Sequence, residues 1–388
     1  MLGDLTLNKN LIFRIILGFS LALLASMAHA QGSVTLYGIA DTGLEYLTHA
    51  GPTGKSVLRI PSVTGVLGSR WGLKGTENLG NGLSAIFQLE SGFNLNNGTS
   101  GQGGRLFGRQ AFVGLKSDKY GQLTFGHQYS MTLQMLYTAD LVGAAIYSMG
   151  SIDGYLSSAR SDNMVVYMNK MSLGNYGTMT VGASYSFGRE TLTGTPGEGT
   201  CAGGTWMIQC QGWSAMLQYD AAQWGVGASY DLQRGGGANS AANLFNGLDP
   251  LPMTSPHDKS ARTLLYGYFK GNAWKVSTGF LGRSVSRVEG ASVRSNMYFA
   301  QGSYYITPYF QLMGAVLRAI NSQQDTRATM EIARGTYLLS KSTNVYLQAA
   351  YMGNSKNAAY TVSGGGGTIQ PPTGQGQFGA MIGIQHLF

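Results

Sequence analysis

Two pairs of neighbouring residues have the right types for acid–base or nucleophilic work: His127 beside Ser130, and His257 beside Asp258. A histidine can draw a proton from a serine, and an aspartate can orient an imidazole. Neither pair has an orienting third group close by, and no nucleophile-elbow or HExxH motif occurs. The histidines are dispersed without zinc-ligand spacing. Gly235-Gly236-Gly237 and the run Gly364 to Gly367 do not lie between a buried parallel strand and a helix. They read as loops rather than phosphate cradles. Cys201 and Cys210 share a Gly-rich stretch, where a disulfide within one loop is favoured over a metal pair. No cofactor and no metal is implied, and the chain reads as a non-enzyme.

The elements that would carry these residues have a period of two. In 178–188, Met179, Val181, Ala183, Tyr185 and Phe187 share one face, and Thr180, Gly182, Ser184 and Ser186 share the other. In 83–91, Leu83, Ala85, Phe87 and Leu89 oppose Ser84, Gln88 and Glu90, with Ile86 off pattern. Trp71 and Leu73 oppose Arg70 and Lys74. These are antiparallel strands apolar on one face. Arg109 breaks the rule, sharing its face with Ala111, Val113 and Leu115.

The two ends suggest a compartment. Lys9 and Arg14 precede an apolar run from Ile15 to Met27, and Ala28-His29-Ala30 is a small-x-small cleavage signature. Residues 1–30 read as a secretory signal peptide, leaving 31–388 as one barrel domain. At the other end, Phe378, Ala380, Ile382, Ile384, His386 and Phe388 share one strand face. A strand that runs to an aromatic final residue must be paired, and it looks like the last strand of a bacterial outer-membrane barrel. Phe388 is the expected assembly signal.

Composition agrees. Charged residues make up 11% of the 388, against about 25% in soluble domains. Glycine reaches 58 and tyrosine 22, yet mean hydropathy is only −0.03. Strands with one face to lipid and one to a polar lumen give that balance. The net charge is +8, but the basic residues form no run, which argues for a basic lumen rather than a nucleic-acid partner.

Seven short turns are expected at 76–82, 117–121, 172–177, 221–225, 270–274, 306–309 and 339–344. Eight longer loops are expected near 49–67, 94–106, 129–161, 188–211, 235–259, 288–295, 321–327 and 354–376. Fifteen connections imply sixteen strands, with short periplasmic turns, long external loops and periplasmic termini. Every proline falls in one of these loops or turns, where no ladder bond is lost. A soluble β-sandwich array is the rival, and it would carry more charge and more even loops.

Segments 33–46, 69–93, 106–115, 178–188 and the GIQHLF terminus resemble the general diffusion porins of beta-proteobacteria. The resemblance implies an all-β, sixteen-stranded antiparallel transmembrane barrel with an inward-folded third loop, 129–161, and a homotrimer. It implies passive diffusion of ions and small hydrophilic solutes across a Gram-negative outer membrane, amid lipid and lipopolysaccharide. It also implies a constriction with an arginine wall, matched here by Arg70, Arg109 and Arg160, with Lys74 on the Arg70 face. Asp140 and Asp153 are the facing acids expected on the third loop. Where the family usually has arginine after LTFG, this chain has His127. A histidine there weakens the positive wall at neutral pH and could make conductance titrate near its ordinary value, about 6.5. Weak anion selectivity is therefore expected. A substrate-specific channel and a barrel enzyme are the alternatives.

Overall fold

A computed structural model describes residues 32–62, 65–143, 146–152, 159–188, 209–236, 241–364 and 369–388. Among them, sixteen long strands form one closed antiparallel sheet. They are β1 Ser33–Ala50, β2 Arg70–Gly80, β3 Leu83–Gly92, β4 Gln110–Ser117, β5 Gly121–Tyr129, β6 Arg160–Ser172, β7 Thr178–Ser186 and β8 Gly212–Asp220. They continue as β9 Trp224–Arg234, β10 Lys259–Lys270, β11 Trp274–Ser286, β12 Val293–Thr307, β13 Phe310–Asn321, β14 Thr326–Leu338, β15 Thr343–Asn354 and β16 Gln377–Leu387. All seven expected short turns and all eight expected longer loops join these strands. The turn after β2 shows the local cause: Asn81 and Gly82 both have positive φ, 52° and 73°. An Asn-Gly pair makes that hairpin turn cheaply.

Each strand pairs with its chain neighbour, and β1 closes the seam onto β16, from Ile39 opposite Leu387 to Leu47 opposite Gly379. At about 3.3 Å per residue the 18-residue β1 is roughly 60 Å long. That exceeds the about 25 Å apolar band of such barrels, so β1 projects beyond it. Its first half pairs with β2, and its last residues pair with an unanticipated short strand in the first loop, Lys55–Arg59.

The outward face is apolar. Leu217, Val226, Leu265, Val276, Val316, Leu347 and Ile382 are exposed there. Aromatic residues flank that band. Trp224, Trp274, Tyr304, Tyr309 and Tyr337 lie near the short turns, and Tyr46, Trp213, Tyr298, Tyr351 and Phe378 lie nearer the long loops. Amphipathic rings favour the two membrane–water interfaces. The buried apolar cluster lies on the other side of the sheet, where Leu264, Leu281, Met297, Leu317 and Met330 project inward. They meet Met131, Met135, Leu136, Ile146 and Met149 of the third loop.

Candidate functional site

The third loop opens with a helix, α1, Met131–Ala139. Ser130 caps it by accepting from the Leu133 N–H, which satisfies one of the free amides of a helix start. The cap is tied to β9: Ser130 Oγ and Thr132 Oγ1 donate to the two Asp231 oxygens at 2.8 and 2.7 Å. The loop then follows the inner wall. Ser277 of β11 donates to the Ala139 carbonyl, Gln301 of β12 accepts from Leu141, and Arg334 of β14 donates to the Val142 carbonyl. Ile146 donates to Gly65 of the first loop and accepts from Gly364 of the last. The Asp231 carboxylate is buried, so the Asp231→Ala variant leaves the Ser130 hydroxyl without its acceptor and the Thr132 hydroxyl with Ser229 alone. A lost buried partner costs about 1–3 kcal/mol. Single-channel recordings of that variant should show a noisier open level than the wild type; an equally quiet one would mean the latch is not needed.

Opposite α1 the three expected arginines converge. Arg70 starts β2, Arg160 starts β6, and Arg109 precedes the first residue of β4. Its position just outside the ladder explains the break in alternation. Its amide already donates to the Glu90 carbonyl of β3, but it stands outside the regular ladder, and its side chain turns inward and is only 5% exposed. Arg109 Nε donates to Glu90 Oε1 at 2.7 Å, and Nη2 donates to the Tyr129 hydroxyl at 2.8 Å. Arg70 Nε lies 3.8 Å from Glu90 Oε2. The Arg160 guanidinium stands 5.4 Å from the Tyr129 ring centre.

Glu90 was not among the expected site residues. It also accepts from Tyr37 and Tyr129, at 2.9 Å each. Three guanidiniums and one carboxylate leave this wall net positive. A recess of about 440 Å³ adjoins it, lined by Arg70, Gln88, Glu90, Gln110, Gln134 and Tyr137 among others. The loop side of the gap is therefore Gln134 and Tyr137.

That corrects the expected facing acids. Asp140 does not face the arginines: it is 4% exposed and accepts from Gln301 of β12 and from the Val142 amide. It caps the end of α1 against the far wall. Asp153 lies outside the described residues. His127 is also displaced. Its ring is buried beside an irregularity in β5 at Gly126, with Nδ1 2.6 Å from Asp162 and Nε2 3.0 Å from the Gly108 carbonyl. Asp162 also takes both terminal nitrogens of Arg105, at 2.6 and 2.7 Å. His127 thus ties the second loop to the rim and does not line the gap. Lys74 stays on the inward face of β2, exposed, 5.3 Å from the Tyr37 ring. Cys210 is disulfide-bonded; Cys201 lies outside the described residues, as does the expected signal peptide.

Tyr137 reports the field. Burial pushes its hydroxyl up, but Arg109, Arg70 and Arg160 outweigh that and hold it below the usual tyrosine value, about 10. Above its pKa the phenol carries a negative charge, so raising the pH should add an anion to the gap and lower any anion preference. The loss should set in at a lower pH than an ordinary tyrosine would give, and Tyr137→Phe should abolish it. Reversal potentials recorded through the alkaline range check this; an unchanged profile in the Phe variant would contradict it.

The chain and its fold are similar to known proteins. The description of a Gram-negative porin matches residues 19–357. An outer membrane porin protein of Bordetella pertussis is 43% identical over 180 residues, which is 43% of this chain and 46% of that relative. The chain thus spans less than half the length of that relative. Outer membrane porin protein 32 of Delftia acidovorans is 26% identical over 385 residues, covering 95% of this chain and 98% of the relative. The solved anion-selective porin from Comamonas acidovorans superimposes with a TM-score of 0.74 at 22% identity, covering 92% of this chain and 100% of that one. At that identity the likeness speaks for the fold alone. With a match running through most of its length and a closed sixteen-stranded barrel, the chain belongs to the Gram-negative porin family.

Proposed function

We propose that this barrel is a water-filled channel of the outer membrane, through which ions and small hydrophilic solutes diffuse passively with a weak preference for anions. The observation that carries the proposal is the Arg70–Arg109–Arg160 wall, which Tyr137 of α1 meets at Arg109 Nη2, 3.5 Å from its hydroxyl. Fixed charges along a narrow wet gap bias the ions that pass. The preference is weak because Glu90 offsets one guanidinium and because water and salt screen the rest. The Delftia likeness supports the channel reading. Homotrimeric assembly is part of the proposal and rests on the family resemblance.

Planar-bilayer recording tests it. Current should be ohmic, and it should not saturate as KCl rises, as a substrate-specific channel would. Glu90→Gln should strengthen the anion preference, because it removes the one acid of the wall and keeps an amide whose oxygen can accept from Arg109 and whose NH2 can donate to the Tyr37 hydroxyl. A shift toward cations in that variant would overturn the assignment of the wall.

A further inference from the structure

The short-turn half of the lumen is basic. On β2, Lys74 shares the inward row of Arg70 and lies about 13 Å farther toward the short turns, at about 3.3 Å per residue. Lys116 of β4 continues the row of Gln110 and Phe112, and Lys170 of β6 continues the row of Val166 and Met168. Those four neighbours line the recess beside the arginine wall. Lys116 faces Gln122, and Gln122 faces Met168, so Lys170 lies two strands and two residues away from Lys116. Two strand spacings are about 10 Å, within reach of two lysine side chains bent toward one another. Farther round the barrel, Lys270 ends the inward row of Tyr266 and Tyr268 on β10. Lys275 begins the inward row of Ser277 and Leu281 on β11.

These five charges are not offset. Lys74, Lys116, Lys170 and Lys270 are exposed, and among the described residues no ion pair holds any of the five. Among those residues, Asp220 of β8 is the one carboxylate on the inward rows of this half. It already accepts from the Tyr268 hydroxyl at 2.7 Å and from the Gln218 amide at 2.8 Å. Lys270 stands directly opposite Lys275 in the β10–β11 ladder. Like charges in that position repel, and an anion between them removes the repulsion. Lys275 also reaches the third loop. Its Nζ lies 3.4 Å from the Thr138 carbonyl of α1 and 4.5 Å from the Tyr268 ring centre. An anion held there lies under α1, beside the route to the gap.

We propose that these lysines form a binding site for a small polyphosphorylated solute, which enters from the short-turn side and blocks the channel from that side alone. The proposal rests on the channel reading, and the outer-membrane reading makes the short-turn side periplasmic. A chloride ion meets lysines that are separate and screened by water and salt, and it passes. A chain of phosphates bridges Lys270 and Lys275, or Lys116 and Lys170, through charge-assisted hydrogen bonds made together. It therefore stays where a single charge does not. The number of charges on the anion, and not their sign alone, separates what crosses from what blocks.

Single channels in a planar bilayer test it, with tripolyphosphate added to one face and then to the other, and orthophosphate at equal concentration as the comparison. From one face, tripolyphosphate should reduce the current at a concentration about tenfold or more below that needed from the other. Orthophosphate should leave the current nearly intact. Lys270→Gln/Lys275→Gln and Lys116→Gln/Lys170→Gln should each raise the half-blocking concentration about tenfold from the sensitive face. Lys356→Gln, in the last long loop, should be blocked as the wild type is. Equal block from the two faces, equal block by orthophosphate, or wild-type block in either double lysine variant would overturn the site. A block lost in Arg70→Gln/Arg109→Gln and kept in the lysine variants would also overturn it, because the anion would then sit on the arginine wall. Calorimetric titration of the detergent-purified full-length protein with tripolyphosphate reads the same binding without a current. It should show saturable binding that weakens about tenfold in the lysine variants; no binding by the wild type would overturn the site. An ohmic current that tripolyphosphate never blocks sinks this proposal alone, whereas saturable binding without an ohmic current sinks the channel reading.

Discussion

A channel carrying Arg70→Gln and Arg109→Gln should lose its anion preference, with the permeability ratio falling to about one or below. Both changes keep a side chain that can hydrogen-bond Glu90, so the wall is discharged without being emptied. The sign follows from the local charges: Arg160 alone then stands against Glu90, and the net positive wall is gone. A unit charge about 7 Å from an ion's path is worth roughly 0.6 kcal/mol even at the dielectric of water. Two such charges therefore account for a severalfold preference, and their loss should be plain in a reversal potential. Either change at Arg109 takes from Glu90 its closest cation, 2.7 Å away, and breaking a buried pair destabilises by several kcal/mol; alanine would be the poorer choice because it also removes the hydrogen bond that glutamine keeps. A double Gln variant with the wild-type ratio would mean that selectivity resides elsewhere in the lumen.

Deleting Phe388 should cut the amount of assembled barrel by about tenfold or more while leaving surviving channels with normal conductance. The residue closes the seam in two ways. Its amide and carbonyl exchange hydrogen bonds with Gly38 of β1, at 3.1 and 2.8 Å. Its ring lies flat on Gly38, where an added Cβ would come within 2.2 Å of Cζ. Unpaired backbone groups facing lipid cost several kcal/mol each, and an open edge invites wrong pairing. The ring points outward, away from the arginine wall, so conduction should not depend on it. Gly38→Leu should reproduce the deletion, since its side chain needs the space the ring occupies. The heat-modifiable folded form in outer-membrane fractions measures the effect; normal amounts of it would refute the seam argument.

Much of the fold is legible in the sequence because a two-residue period and glycine or asparagine at turns are local signals. Even the Arg70–Glu90 approach could have been foreseen. The Asn81-Gly82 turn fixes a register in which Arg70 faces Gly92 and Gly72 faces Glu90, placing the acid on the diagonal from the arginine. The rest depends on contacts that no local pattern carries. Arg109 reads as lipid-facing by parity, and only its place one residue outside β4 turns it inward. His127 has the type and the neighbours of a lumen residue, yet its ring is held by Asp162 and the Gly108 carbonyl. Asp140 is an acid on the right loop, but Gln301, distant in sequence, takes it to the far wall. The inward apolar residues of β10 to β14 were the overlooked clue. Leu264, Leu281 and Met297 would face water in an open lumen, so something apolar must cover them, and the third loop does.

The central claim is that a net positive wall facing α1 sets the sign of the current through an open, diffusive pore. The most direct measurement is the reversal potential of single wild-type channels in a KCl gradient at neutral pH, taken first at low and then at high mean salt. The account predicts an anion-preferring potential at about 0.1 M that shrinks toward zero near 1 M, as the screening length falls from about 10 to about 3 Å. A cation-preferring potential at low salt, or a preference that does not change with salt, would contradict it.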